Sequence, residues 1–256
     1  MVWLEAGLVA MLGLVFGSFV TLAAHRLPQE EPVAATRSRC PSCRTPLGPA
    51  ALVPLFSWLW QRGKCRYCQA KISARYPLTE LSQAALFLAV YAVYGISPLG
   101  VLLMLLSVCL LILCLVDFAH YIIPDEIQIA MLGLGLIYPY LAPSVSYSSA
   151  LASAVLGLAI GLSLRFGFLW IKKRDGLGWG DVKFLPIAGL WLNGMMGWPP
   201  FLFYAGIWGI LTAVIWRALG KGERFPFGPA LAASLFMSLL TPSDTLFYWT
   251  VGRLYA

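Results

Sequence analysis

The sequence predicts an all-α polytopic membrane protein, a bundle of about eight transmembrane helices with one sizeable cytosolic loop between helices 1 and 2. Of the 256 residues, 60% are hydrophobic and only 11% are charged, whereas soluble domains carry about 25% charged residues. Long apolar runs recur along the chain, and the basic residues are concentrated in a few segments between them. This composition excludes a soluble enzyme, a disordered regulator and a secreted disulfide scaffold.

The apolar runs define the predicted helices in order. A helix that crosses the hydrocarbon core of a bilayer needs about 20 mostly apolar residues. The first run lacks a basic leading segment and a clear cleavage site, so we expect a retained helix and not a signal peptide. The predicted spans lie near residues 3–24, 78–96, 99–116, 126–142, 148–171, 182–197, 200–218 and 228–250.

The basic residues predict the orientation of these spans. Sixteen of the 18 Lys and Arg residues lie in segments 25–76, 172–183 and 217–224. With eight spans these segments fall on one side, and cytosolic loops carry the excess of Lys and Arg. We therefore predict one polytopic domain over 1–256, with both termini outside and 25–76 as a cytosolic insert. The net charge of +7 is then a topology signal and requires no nucleic-acid partner.

The insert contains two pairs of cysteines, Cys40 with Cys43 and Cys65 with Cys68, separated by 21 residues. Paired CxxC motifs at this spacing present four thiolates to one tetrahedral zinc ion. A reducing cytosol disfavours two disulfides, while a redox or unliganded role stays open. Four thiolates leave no coordination position for water, so we expect a structural zinc that stabilises a loop too short for its own core.

Two aspartates stand out among the acidic residues. Asp117 ends a long apolar run, and Asp181 opens another within the sequence Gly178-Trp179-Gly180-Asp181. Ionisable groups at the membrane edge are functional candidates, and two carboxylates that share one proton suit peptide hydrolysis. The two glycines would let an extended substrate strand approach closely. The alternatives are that Asp117 is a helix-end residue and that Asp181 is an N-cap.

Several further segments, taken together in chain order, resemble the type 4 prepilin peptidases, which are membrane aspartic peptidases of pilus and type II secretion systems. The segments that carry the resemblance are Gly17-Ser18-Phe19, Arg26-Leu27-Pro28, both CxxC pairs, Ser57-Trp58-Leu59, Arg62 to Arg66, Ile72 to Leu78 with Glu80, Asp117 to Asp125, Gly178 to Lys183, and Pro226-Phe227-Gly228-Pro229.

The resemblance implies an eight-helix enzyme of the bacterial inner membrane that acts on prepilins or pseudopilins. It implies cleavage on the cytosolic side, after the glycine that ends a basic leader, with Asp117 and Asp181 as the catalytic pair. Many members also methylate the new N-terminus with S-adenosylmethionine. The residues expected to support the active site are Gly178, Gly180, Asp125 and Lys183, and those assigned to substrate or methyltransferase are Glu80, Arg75 and Tyr76.

Other functions remain open at this stage. The chain could be a peptidase without methyltransferase activity, or a proton- or cation-coupled transporter whose acids bind cations. It could also be a non-catalytic assembly factor that docks through its zinc loop. Asp125 could be the more important acid, and His120 could contact substrate.

Overall fold

The computed structural model describes residues 2–33, 38–142, 144–173, 176–222 and 224–241. These residues are helical and contain no strand, only two isolated bridges in the cysteine-bearing loop. The α-helices are α1 Val2–Arg26, α2 Phe56–Trp60, α3 Arg75–Tyr94, α4 Pro98–His120, α5 Asp125–Leu141, α6 Tyr147–Lys172, α7 Trp179–Trp191, α8 Trp198–Ala218 and α9 Gly228–Leu240.

Each of the eight predicted apolar runs overlaps a helix, while α2 lies inside the predicted insert. Among the described residues, four helical segments are long and apolar enough to cross a membrane: Trp3–Gln29, Pro98–His120, Tyr147–Lys172 and Gly194–Ala218. The chain is therefore an all-helical membrane protein, and the number of eight spans stays a prediction. Residues 242–250 of the last predicted run lie outside the described residues.

The predicted run 182–197 is interrupted in the structure. Helix α7 ends at Trp191, and its 13 residues rise only about 20 Å, against about 30 Å for the hydrocarbon core. A 3₁₀ turn over Gly194–Gly197 follows, in which Gly194 has a φ of +64°. The C-cap residue Leu192 is already extended, with a ψ of 150°, so α7 ends there and the second half of the run leads through the turn into α8.

The chain divides into two compact units, residues 1–112 and 113–256. In the first unit α1 packs along α3 through glycine. A Cβ on Gly13 would lie 2.5 Å from the Cα of Ala84, and a Cβ on Gly17 would lie 2.5 Å from the Cα of Glu80. Two glycines four residues apart thus lie against two α3 residues four apart, a small-residue contact that lets membrane helices approach closely.

The second unit uses the same kind of contact between α6 and α7. A Cβ on Gly157 would lie 2.5 Å from the Leu185 carbonyl oxygen, and one on Gly189 would lie 2.5 Å from the Ser153 carbonyl oxygen. The fully buried Trp191 side chain donates a hydrogen bond from Nε1 to the Met131 carbonyl at 3.2 Å, which ties α7 to α5. These contacts fix α7, whose first turn carries Asp181.

Candidate active site and metal centre

Asp117 lies three residues before the end of α4 and is buried, with 5% of its surface exposed. Its Oδ2 accepts a hydrogen bond of 2.8 Å from the backbone N–H of Gly228, the first residue of α9. Helix N-terminal N–H groups and the helix dipole both stabilise negative charge. The start of α9 therefore holds one carboxylate oxygen of Asp117.

The last turn of α4 is fixed by aromatic contacts and by the turn that follows. The Phe118 ring stacks on Trp216 of α8 with centroids 6.0 Å apart, and Tyr121 meets the same indole edge-on at 6.1 Å. Tyr121 is left-handed, with a φ of +58°, and Pro124 N-caps α5. A left-handed residue and a proline both stop a helix, so α4 ends here and α5 starts close by.

Asp181 is the third residue of α7 and is half-buried. Its Oδ2 accepts a 3.2 Å hydrogen bond from the backbone N–H of Gly178, the N-cap residue. Asp181 is therefore not itself the N-cap. Burial first, and the negative charge of Asp117 second, together raise the pKa of Asp181 to about 7. The two carboxylates thus act on one another although 63 residues separate them in the chain.

Two contacts bring the α4–α5 turn to the start of α7. A Cβ on Gly180 would lie 3.1 Å from the Cβ of Ile123, so the missing side chain lets the turn pack on α7. Beside this contact, Lys183 Nζ donates to both oxygens of Asp125 at 2.8 and 2.9 Å. Asp125 and Lys183 are both exposed, at 63% and 53%. The ion pair joins the α4–α5 turn to α7, and the supporting role expected for Asp125 and Lys183 stays a prediction.

Arg165 of α6 holds the loop before α7 and was not expected from the sequence to contribute to the site. Its guanidinium donates a hydrogen bond to the Leu177 carbonyl, and it lies 4.5 Å from the centroid of the Trp179 ring. Arg165 thus contacts the residues on either side of Gly178, whose N–H donates a hydrogen bond to Asp181. The sequence feature that could have singled out Arg165 is that no other Lys or Arg occurs between Tyr76 and Lys172.

The four predicted metal ligands, Cys40, Cys43, Cys65 and Cys68, meet in the first unit. Their sulfur atoms all lie within 4.8 Å of one another, and the Sγ atoms of Cys40 and Cys68 are 3.9 Å apart. Tetrahedral zinc with Zn–S bonds of about 2.3 Å requires sulfur pairs about 3.8 Å apart. The donor set and its spacing therefore fit a zinc ion.

Both CxxC motifs adopt the same loop, which explains why the thiols converge. In the first motif the N–H of Cys40 donates to the Thr45 carbonyl, and the N–H of Arg44 donates to the Cys40 carbonyl. In the second motif the N–H of Cys65 donates to the Ala70 carbonyl, and the N–H of Gln69 donates to the Cys65 carbonyl. Arg44 and Gln69 take the same left-handed conformation, with φ of 56° and 57°.

Hydrogen bonds already favour thiolates in these loops. Bonds from the side chain and backbone of Thr45 lower the pKa of Cys43 to about 6. Backbone N–H groups of Cys68 and Tyr67 lower the pKa of Cys65. The Ala70 N–H lowers the pKa of Cys68, but burial and the other cysteines outweigh it and raise that pKa to about 11. Thiolates are the form that binds metal, so the loops favour this form at Cys43 and Cys65.

Glu80, Tyr76 and Arg75, the residues assigned to substrate or methyltransferase, all lie in the first two turns of α3. Glu80 is buried, with 6% exposure, and its Oε2 accepts a 2.7 Å hydrogen bond from the backbone N–H of Leu55. Glu80 and Tyr76 line a cavity of about 1110 Å³ within the first unit, which Cys40 and Cys65 also line. Arg75 is exposed and does not line it.

The fold and these sites define a helical membrane protein with a pair of interacting aspartates and a cluster of four cysteines that could hold a metal ion. Residues 11–94 match the Bacterial Peptidase A24 N-terminal domain, and residues 104–214 match the Type IV leader peptidase family. No solved structure matches the chain.

Three relatives, each named prepilin leader peptidase/N-methyltransferase, illustrate the similarity. The protein of Aeromonas hydrophila is 32% identical, over 96% of this chain and 94% of its own length. The Pseudomonas aeruginosa protein is 33% identical, over 90% of this chain and 88% of its own length. The Bacillus subtilis protein is 35% identical, over 90% of this chain and 92% of its own length. The chain belongs to the Type IV leader peptidase family.

Proposed function

We propose that this protein is a prepilin leader peptidase that also methylates the N-terminus it exposes. The observation that supports the peptidase is that the negative charge of Asp117 acts on Asp181, while backbone N–H groups of Gly228 and Gly178 hold the two carboxylates. The family and its bifunctional relatives support both activities, and a transporter or an assembly factor has no comparable support.

The environments of the two acids suggest how they divide the chemistry. Asp117 accepts a hydrogen bond from the Gly228 N–H and serves as the ionised base that takes a proton from water. The water oxygen bonds to the scissile carbonyl carbon. Asp181, with its pKa raised to about 7, donates its proton first as a hydrogen bond to the carbonyl oxygen and then to the departing nitrogen. The C–N bond breaks, which leaves a carboxyl group on the leader and an amine on the mature protein.

The amine is then the acceptor for methylation. S-adenosylmethionine, when bound, supplies a methyl group on a positively charged sulfur. The amine nitrogen bonds to the methyl carbon, the C–S bond breaks with its electron pair on sulfur, and one proton leaves the nitrogen. Cleavage therefore generates the substrate for the second reaction.

The setting of the enzyme forms part of the proposal. We place it in the bacterial inner membrane as a single polytopic domain of eight spans, with the 25–76 insert and both acids on the cytosolic side. The basic segments support this orientation. The four cysteines hold a structural zinc, and the substrates are prepilins or pseudopilins with a basic leader, a glycine at the cut and an apolar segment after it.

The test uses purified protein in lipid nanodiscs with a purified prepilin. Asp117→Asn and Asp181→Asn keep the size of each side chain but remove its proton chemistry, so each should lower cleavage at least about 1000-fold. Glu126→Gln is the matched control, because Glu126 is an exposed acid in the first turn of α5, and it should retain cleavage within about twofold.

The mass of the product tests both activities at once. Addition of S-adenosylmethionine should increase the mass of the cleaved product by one methyl group, and both Asn variants should still methylate a prepilin that was cleaved beforehand. Wild-type cleavage rates in either Asn variant would contradict the pairing. An unshifted product mass from wild-type protein would reject the methyltransferase half and leave the peptidase intact.

A further inference from the structure

We propose that the cavity of the first unit binds S-adenosylmethionine, with Glu80 facing its positively charged sulfur and Trp58 contacting its adenine. This assignment rests on the proposed methyltransferase activity and gives it a location and residues. This space, the cofactor cavity, is lined by the C-terminal half of α1, the two cysteine loops, α2 and the first turns of α3.

The size and position of the cofactor cavity suit a small-molecule cofactor. Its volume is about 1110 Å³, slightly above the range of about 300 to 1,000 Å³ for ligand pockets. Its α1 wall contains Ser18, Thr21, Leu22 and His25, which recur at helical spacing and so form one continuous face. The opposite wall contains the metal ligands Cys40 and Cys65, so a zinc-bound loop would fix its shape.

Glu80 gives this cavity a buried negative charge. Its carboxylate is held by the N–H of Leu55 and by the side chain of Ser18, and the close contact of Gly17 with Glu80 fixes the α3 backbone at this point. A buried carboxylate is costly unless it is paired. A ligand with a positive sulfur and an amino group provides that partner, whereas an anionic ligand would be repelled by the same side chain.

Basic residues provide the complementary charge. Arg39, Arg44 and Lys71 line the cofactor cavity together with the buried Arg26. The methionine part of S-adenosylmethionine ends in a carboxylate, which such residues bind through charge-assisted hydrogen bonds. The lining therefore carries both signs of charge, as does the ligand.

Trp58 supplies a rigid aromatic surface. Its Nε1 donates to the Ile72 carbonyl at 3.3 Å, and a Cβ on Gly63 would lie 3.0 Å from the indole ring. An aromatic ring held in this way can stack with adenine at little cost in conformational entropy. Glu80 also orders the start of α2, since Leu55 is the N-cap of the helix that carries Trp58.

Calorimetric titration of the full-length protein in nanodiscs, with S-adenosylmethionine and separately with S-adenosylhomocysteine, tests the assignment. The second ligand has a neutral sulfur. Glu80→Gln retains an acceptor for the Leu55 N–H but removes the charge, so the Kd of S-adenosylmethionine should rise about 10- to 100-fold. That of S-adenosylhomocysteine should rise less. Trp58→Leu should raise the Kd of both ligands equally, by at least about fivefold.

Glu30→Gln is the matched control, because Glu30 is exposed in the same unit, does not line the cavity and loses the same charge. Zinc content and cleavage at wild-type levels verify the fold of each variant. Equal affinities of wild type and Glu80→Gln for S-adenosylmethionine would overturn the assignment. Tighter binding by Glu80→Gln would also overturn it, because removal of an attracting charge cannot strengthen the binding of a positive sulfur. If wild type methylates but Glu80→Gln and Trp58→Leu bind S-adenosylmethionine normally, the cofactor binds elsewhere in a true methyltransferase. If wild type neither methylates nor binds S-adenosylmethionine, both the methyltransferase function and its proposed site are wrong.

Discussion

Substitution of Gly228 by alanine should lower peptidase activity without touching either aspartate. An added Cβ would lie 2.7 Å from the Asp117 Oδ2 and 3.0 Å from the Leu113 Cδ2. The carboxylate is the end of a side chain and can rotate away, but it then loses its 2.8 Å hydrogen bond from the Gly228 N–H. A hydrogen bond to a charged group contributes about 1.5–3 kcal/mol, so we expect kcat/KM for cleavage to fall about 10- to 100-fold.

The assay measures initial rates of prepilin cleavage in nanodiscs at several substrate concentrations. Gly206→Ala is the matched control, since Gly206 lies within α8 and an added Cβ meets no atom within 4 Å. It should leave kcat/KM unchanged. Methylation of a prepilin cleaved beforehand should proceed at the wild-type rate in Gly228→Ala. Wild-type cleavage by Gly228→Ala, with its fold intact, would show that the α9 N-terminus does not position Asp117 for catalysis.

Three further predictions follow from the site and the packing. Cys65→Ser should reduce bound zinc, measured by elemental analysis, whereas Cys109→Ser should not; equal zinc in both would contradict the four-thiolate centre. Cleavage should decline as the pH rises above about 7, because the pKa of Asp181 is raised to about 7 and its protonated form, present below that pH, is the proposed acid; a flat kcat/KM profile from about pH 6 to about pH 9 would refute this role. Gly17→Leu should destabilise the protein by at least about 1–3 kcal/mol through overpacking against α3, seen as a lower thermal midpoint, while Gly7→Leu, with open space around it, should not.

Much of the fold was predictable because its signals are local. Long apolar runs indicate membrane helices, and the CxxC spacing indicates a metal site without knowledge of the surrounding fold. Asp117 and Asp181 could be singled out because charges are scarce in such a chain. The break after α7 was harder, since it depends on the extended conformation of Leu192 and the left-handed one of Gly194, and neither residue type requires the conformation it takes here.

The contacts that complete the site could not be predicted from residue types. Gly228 bonds to Asp117 across 111 positions, and it does so through a backbone N–H that every residue except proline carries. Asp125 and Lys183 pair across 58 positions. Such pairings depend on how helices pack, and a single sequence contains no local signal for them.

Glycine explains how so few polar residues can form sites in an apolar bundle. Lipid is as apolar as a leucine side chain, so helices in a membrane associate through close packing and polar contacts. Gly17 brings the α1 backbone against Glu80, and Gly228 brings an N–H to Asp117. At each position a larger side chain would separate an acid from the group that orders it. We therefore expect substitutions at these glycines to separate the two activities, with Gly17 affecting cofactor binding and Gly228 affecting cleavage, because each glycine orders the acid of one unit.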